Sequence, residues 1–360
     1  MTFTLAAWLH TLSPFLVRFT DEFGIRWYGL SYVLGFLCGW AWLRYLARRG
    51  LTPLSEQRVG DAMVSLVVGV VAGGRLGYCL FYQPSLLIDF AGGFPFWGVL
   101  RLTQGGMSSH GGMIGVALAA WWIARGVRQK SGEVTGRVPL LHVFDLVALA
   151  ATPGLFFGRL ANFVNGELLG KIVGMPGEAA PPWAVKFPQE AFTGHAPPGQ
   201  AEALAPLVHA YRVGAESDEQ TYERMLRLIQ SGGQSGRELA AKLEPFIAAR
   251  HPSQLYQGVC EGLIIAAVLW LIWKRPRTPG VIGAAFLALY GVLRIATETI
   301  RLPDADLAVQ RLAGLSRGQW LSVLMLAGAG ALAWVSVKRG GEKLGGWGVR
   351  PSGPDSPARS

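Results

Sequence analysis

The chain has 360 residues, of which 51% are hydrophobic and 16% charged, with a formal net charge of +10. Soluble domains usually carry about 25% charged residues, so the composition excludes an ordinary soluble protein and points to a polytopic membrane domain. The basic excess does not indicate nucleic-acid binding, because the Lys and Arg residues flank apolar runs as membrane anchors do.

In chain order, residues 1–26 come first and contain Arg18 as the first basic residue, so no basic region precedes an apolar core as in a cleavable signal peptide. Pro14-Phe15-Leu16-Val17 and Phe19 suggest an extracytoplasmic arm lying in the membrane interface. A membrane helix needs about 20 mainly apolar residues. Seven stretches qualify, near 27–46, 60–82, 107–124, 140–158, 256–273, 280–300 and 319–337. The 48 glycines suit close helix packing in lipid. Cys38, Cys79 and Cys260 all fall inside these stretches, without metal-ligand spacing.

The expected fold is therefore an all-α integral membrane protein with about seven transmembrane helices and an extracytoplasmic insertion between the fourth and fifth. Its parts are the arm 1–26, the first four helices in 27–170, the insertion 171–250, the last three helices in 251–339, and a disordered cytoplasmic tail at 340–360. The insertion opens on a Pro/Gly-rich loop and continues with helical character at about 201–212, 217–231 and 236–249. Arg44, Arg48, Arg49 and Arg58 follow the first span, and Arg125, Arg128, Lys130 and Arg137 follow the third. Lys274, Arg275 and Arg277, then Lys338, Arg339 and Lys343, follow the fifth and seventh. This bias puts the N-terminus outside and the C-terminus in the cytoplasm.

Charges inside apolar spans are costly and are either paired or functional. Arg75, Asp145, Glu261, Arg294 and Glu298 are such residues. Arg294 and Glu298 share a helix face and can pair. The densest polar group is Gly158-Arg159-Leu160-Ala161-Asn162-Phe163-Val164-Asn165-Gly166-Glu167-Leu168-Leu169-Gly170. A guanidinium offers a planar fork for phosphate oxygens, and amides can hold a glycerol hydroxyl; a polar helix end satisfying its own carbonyls gives the same pattern. Glycines flank His110 within Gly105–Gly115, and His251-Pro-Ser-Gln-Leu-Tyr precedes the fifth span, with Ser253 as a potential helix cap.

Taken together, these segments resemble the prolipoprotein diacylglyceryl transferase family. The Gly158–Gly170 segment carries the resemblance most strongly. Trp27-Tyr28-Gly29, Gly74-Arg75-Leu76-Gly77-Tyr78, His110-Gly-Gly-Met-Ile-Gly, His251-Pro-Ser-Gln-Leu-Tyr and Arg294…Glu298…Arg301-Leu-Pro-Asp follow in the family's order. The resemblance spans about residues 25–170 and 250–337; the 171–250 insertion departs from it.

The resemblance implies transfer of a diacylglyceryl group from phosphatidylglycerol to the lipobox cysteine of a preprolipoprotein, with loss of glycerol-1-phosphate, in a bacterial cytoplasmic membrane. It implies His110, Arg294, Glu298 and Tyr28 as catalytic residues. Arg159, Asn162, Asn165, Glu167, Gly170 and Tyr290 would bind the phospholipid. No cofactor and no metal are implied. A lipid transporter or scramblase explains polar residues in spans equally well, but not the ordered set of motifs.

Overall fold

The structure is a computed structural model and describes residues 7–20, 23–90, 94–101, 105–191, 194–302, 311–312 and 314–348. Parts of two expected features, the arm (1–6) and the tail (349–360), lie outside the described residues, as does the Pro303-Asp304 end of the last motif. Helices dominate. Those with span-like character are α1 (Trp27–Arg48), α2 (Glu56–Phe81), α3 (Ser109–Ala124) and α4 (Leu140–Asn165). After the smaller helices α5 (Gln200–Tyr211), α6 (Asp218–Gln230) and α7 (Gln234–Leu243) come α8 (Ser253–Trp273), α9 (Val281–Glu298) and α10 (Arg317–Arg339).

Among the described residues, six of these are long and apolar enough to cross a membrane: α1, α2, α4, α8, α9 and α10. The remaining expected stretch, the third, is α3, which has 16 residues because Gly105 and Gly106, both at positive φ, hold the preceding backbone out of helix. Large apolar side chains stand on the outside, among them Val337 at 78% exposure and Leu324 at 65%. Water would penalise such a surface, whereas lipid does not.

Backbone contacts divide the chain into two units. The first comprises Met1–Gly35, Pro153–Ile265 and Leu289–Ala327. It contains a feature the all-helical expectation did not include, a four-stranded sheet of β1 (Trp8–Leu9), β2 (Ile172–Gly174), β3 (Val185–Lys186) and β4 (Ala249–Arg250) in the order β1-β3-β4-β2. β1 runs parallel to β3, and β4 pairs antiparallel with both β3 and β2. Strands of two or three residues leave no alternation to read in the sequence.

Beside this sheet, α5, α6 and α7 bury Leu204, Val208, Tyr222, Met225, Ile229, Leu239 and Leu243 in a core of their own. A capping box between Ser217 and Gln220 starts α6. The pair Arg250–Glu190 is fully buried there, with Gln200 Nε2 and the Ala248 amide also donating to Glu190.

The second unit comprises Phe36–Thr152, Ala266–Ala288 and Gly328–Ser360. Its main contact is α2 against α3, which touch through glycines. A Cβ on Gly73 would stand 2.4 Å from the Gly111 carbonyl oxygen, and one on Gly115 1.9 Å from that of Gly69. Two of the intramembrane charges have structural partners here. Arg75 donates to five backbone carbonyls, of Gly98, Val99, Arg101, Gly105 and Gly106. Asp145 accepts from the backbone amides of Gly280 and Gly283, both at 2.7 Å, and so caps the start of α9.

Candidate functional site

The site is built on the first unit from the ends of α4, α8 and α9. The middle of α8 is a π-helical stretch, Gly258–Ile264. Such a stretch rotates side chains relative to an α-helix and recurs at functional positions. Two of its glycines bring α8 against α4: a Cβ on Gly262 would meet Phe156 Cβ at 2.5 Å, and one on Gly258 would meet Arg159 Cβ at 3.3 Å. This approach places Glu261, at 0% exposure, beside Arg159.

Glu261 is the hub of a chain of charges. Arg159 donates to its Oε2 through Nε at 2.9 Å and Nη2 at 2.8 Å. Arg294 donates to its Oε1 through Nη1 at 3.3 Å. Arg294 continues through Nη2 to Glu298 Oε2 at 3.1 Å, and Arg301 Nη1 reaches the same oxygen at 3.8 Å. Ser316 Oγ donates to Glu298 Oε1 at 3.1 Å, which anchors that carboxylate against the start of α10. Tyr290 contacts the Arg159 guanidinium. The five ions comprise three cations and two anions.

Next to this chain stands a second hydrogen-bonded group, centred on the Glu167 carboxylate. Asn162 Nδ2 donates to Tyr28 Oη at 3.0 Å and to Glu167 Oε1 at 3.3 Å. Asn165 Nδ2 donates to the same Glu167 oxygen at 3.1 Å. Glu167 is thus held by amides, not arginines, and closes the turn that follows α4. Gly166, at φ +68°, and Leu168, at φ +58°, make that turn.

The turn's far side is tied down by α8. Ser253 Oγ donates to the Leu168 carbonyl at 2.8 Å, and Gln254 Nε2 donates to that of Glu167. Gly170 pairs with Arg301 across an isolated bridge. A Cβ on Gly170 would stand 2.3 Å from the His251 carbonyl oxygen, so only glycine fits. Its own carbonyl accepts from Arg250 Nη1 at 3.1 Å.

Tyr28, Arg159, Asn162, Asn165, Glu167, Gly170, Tyr290, Arg294 and Glu298 therefore all lie in the first unit, linked by these contacts. His110 belongs to the second unit, in the first turn of α3, where Ser108 caps the helix by accepting from the Gly111 amide. Among the described residues, no hydrogen bond or ion pair holds the His110 imidazole. Helix spacing finds the Arg294–Glu298 pair but misses Glu261 as the common partner, since its arginines lie 102 and 33 residues away. Its signal was the charge inside an apolar span, which requires a partner. Arg301 was legible only as part of a motif.

Outside the spans, burial pushes the His10 imidazole down to about 4. His10 Nε2 donates to the Phe163 carbonyl at 2.8 Å and Nδ1 accepts from Gln189 Nε2 at 3.0 Å, which fixes the neutral ring beneath the turn. His251 is also lowered, by burial and then by Lys171, and it stacks on Trp183.

The family model described as prolipoprotein diacylglyceryl transferase matches residues 14–335. Among relatives, the phosphatidylglycerol–prolipoprotein diacylglyceryl transferase of Bdellovibrio bacteriovorus is 40% identical over 360 residues, covering 94% of this chain and 97% of that protein. The proteins of the same name from Verminephrobacter eiseniae and Neisseria gonorrhoeae are 38% and 36% identical. Each alignment covers 88% of this chain, and 90% and 93% of the relative respectively.

Proposed function

The chain belongs to the prolipoprotein diacylglyceryl transferase family, and on that premise we propose that it transfers the diacylglyceryl group of phosphatidylglycerol to the lipobox cysteine of prolipoproteins. It is a multi-pass membrane protein of bacterial type. The finer placement extends this reading. α3 counts as a seventh span, the segment 171–250 is an extracytoplasmic insertion, and the N-terminus lies outside the cytoplasmic membrane with the C-terminus inside. The distribution of arginine and lysine supports that orientation.

In this reaction the cysteine sulfur forms a bond to the glyceryl carbon as that carbon's bond to the phosphate oxygen breaks. The bonding electrons leave with glycerol-1-phosphate, and the thiol proton goes to a base. A thiolate attacks far better than a thiol, and an anionic leaving group needs fixed positive charge where its own charge develops. Arg159 and Arg294 supply that charge. Glu261 fixes the orientation of both guanidinium groups, and Glu298 holds Arg294 a second time. Asn162, positioned by Glu167, and Tyr28 supply polar contacts to the glycerol part. Asn165 and Gly170 keep the turn in shape. His110 is assigned the thiol proton on its motif alone.

The observation that carries this reading is the pair of arginines pinned by one buried carboxylate. The test is a transfer assay with purified protein, phosphatidylglycerol and a lipobox peptide. A diacylglyceryl mass gain is expected on the cysteine peptide, none on its Cys→Ser counterpart, and none with Arg159→Ala. A folded wild-type protein that gives no mass gain would reject the assignment.

A further inference from the structure

The end of α3 carries a second polar feature, built from residues that the chemistry above does not use. A cleft of about 860 Å³ lies there, lined by Trp121, Trp122, Arg125, Arg128 and Arg137 among others. A short hairpin forms one wall, pairing Val127 with Thr135 and Arg128 with Val134. The wall is tied to α2, because Arg58 donates to the carbonyls of Gly136 and Ile123. The Val138 amide donates to the Ala124 carbonyl at 3.2 Å and closes the cleft's base.

Three guanidinium groups thus line one cleft. Among the described residues, none of the three forms an ion pair. No carboxylate lines the cleft. Arg125 stacks 4.5 Å above the Trp121 ring, so part of its surface already faces an aromatic, while its charge stays uncompensated. Trp121 is 48% exposed and Trp122 63%.

Trp122 also lines a second groove, of about 510 Å³, that runs between α2 and α3 past Val68, Leu76 and Leu118. This groove is almost wholly apolar. It exists because the glycine contacts bring the two backbones together and leave no side chains to fill the surface above them. The polar cleft and the apolar groove therefore meet at one indole.

We propose that this surface holds one anionic glycerophospholipid, with its phosphate among Arg125, Arg128 and Arg137 and one acyl chain along the α2–α3 groove. Arginine forks match phosphate oxygens, and basic pockets beside membrane helices select anionic headgroups. A soluble polyanion satisfies the charge but cannot fill the groove, and a zwitterionic lipid fills the groove but leaves net positive charge in the cleft.

The test is native mass spectrometry of the full chain in a zwitterionic detergent. Phosphatidic acid, phosphatidylglycerol and phosphatidylcholine of identical acyl chains are titrated separately. At about 1 kcal/mol per arginine near the membrane surface, wild type should retain one phosphatidic acid or phosphatidylglycerol roughly 100-fold more tightly than phosphatidylcholine. The triple variant Arg125→Gln, Arg128→Gln, Arg137→Gln should lose that preference when made together with Arg159→Ala, which removes phosphate binding at the transfer site. Trp122→Ala should weaken retention of all three lipids, since it removes the junction of cleft and groove. Arg159→Ala should retain phosphatidic acid as wild type does, which separates this surface from the transfer site. The proposal falls if that combined variant keeps phosphatidic acid as tightly as wild type, or if wild type holds phosphatidylcholine equally well. Failure of the transfer assay in wild type would reject the transferase reading and leave these retention results unchanged in meaning.

Discussion

Replacing Glu261 with glutamine tests the charge hub directly. Both carboxylate oxygens are in use, Oε2 by Arg159 and Oε1 by Arg294. An amide keeps one acceptor, so its NH2 group must face one of the two guanidinium groups, donor against donor. The residue is fully buried, and its partners' side chains are 16% and 11% exposed, so water compensates little. Removing one partner from a buried pair costs about 3–5 kcal/mol; Glu298 still holds Arg294, which favours the lower end. For a protein of this size that is a fall in melting temperature of about 4 °C. Because the freed arginine also loses its orientation toward the leaving phosphate, kcat/KM should fall about 100-fold. Thermal unfolding in detergent and the peptide-transfer assay read the two effects on one preparation. Glu261→Asp, which keeps the charge but shortens the reach, should fall between the two. A Glu261→Gln protein melting within about 2 °C of wild type and transferring at the wild-type rate would refute the hub.

Other expectations follow from the same geometry. His10 is held neutral in the fold while its unfolded counterpart titrates near 6.5, so the unfolded state binds more protons between pH 6.5 and about 4. Stability should therefore be fully present above pH 6.5 and fall as pH drops through that window, by up to about 3 kcal/mol. His10→Phe should flatten that slope in melts run at each pH. Gly170→Ala drives a methyl into the His251 carbonyl; overpacking of about 1–3 kcal/mol should distort the signature turn, seen as loss of transfer larger than the loss of melting temperature. Arg250→Leu strands the buried Glu190 carboxylate at a cost of about 3–5 kcal/mol. Limited proteolysis should then cut within 171–250, and adding Glu190→Leu should restore much of the resistance.

Much of this organisation is visible in the sequence. Sustained apolar runs give the six long helices because lipid allows no other way to satisfy the backbone. The four-residue spacing gives Arg294–Glu298. The expected helices at 201–212 and 217–231 fall within a residue of α5 and α6 because their apolar faces repeat at helical period, whereas that at 236–249 overruns α7, which ends at Leu243 before β4 begins at Ala249. What was not legible depends on distance along the chain. Glu261 reads as one more misplaced charge until the fold brings Arg159 and Arg294 to it. Asp145 reads the same way, yet it caps a helix through the amide of Gly280, 135 residues later. The sheet joins Trp8 to Val185, and nothing in a two-residue strand announces its partner.

The antiparallel match of Ile172 with Arg250 means that the chain departs from the signature segment and returns to it at neighbouring positions. Whatever lies between them adds closure entropy that grows only slowly with length. The region between residues 174 and 249 is thus a socketed module with its own core. Its outer helices can be exchanged by grafting, provided the clasp formed by β2 and β4 and the seat made by Phe187 and Gln189 are kept. A change on the outer face of α5, α6 and α7 then need not disturb the membrane scaffold, because those helices bury a core of their own.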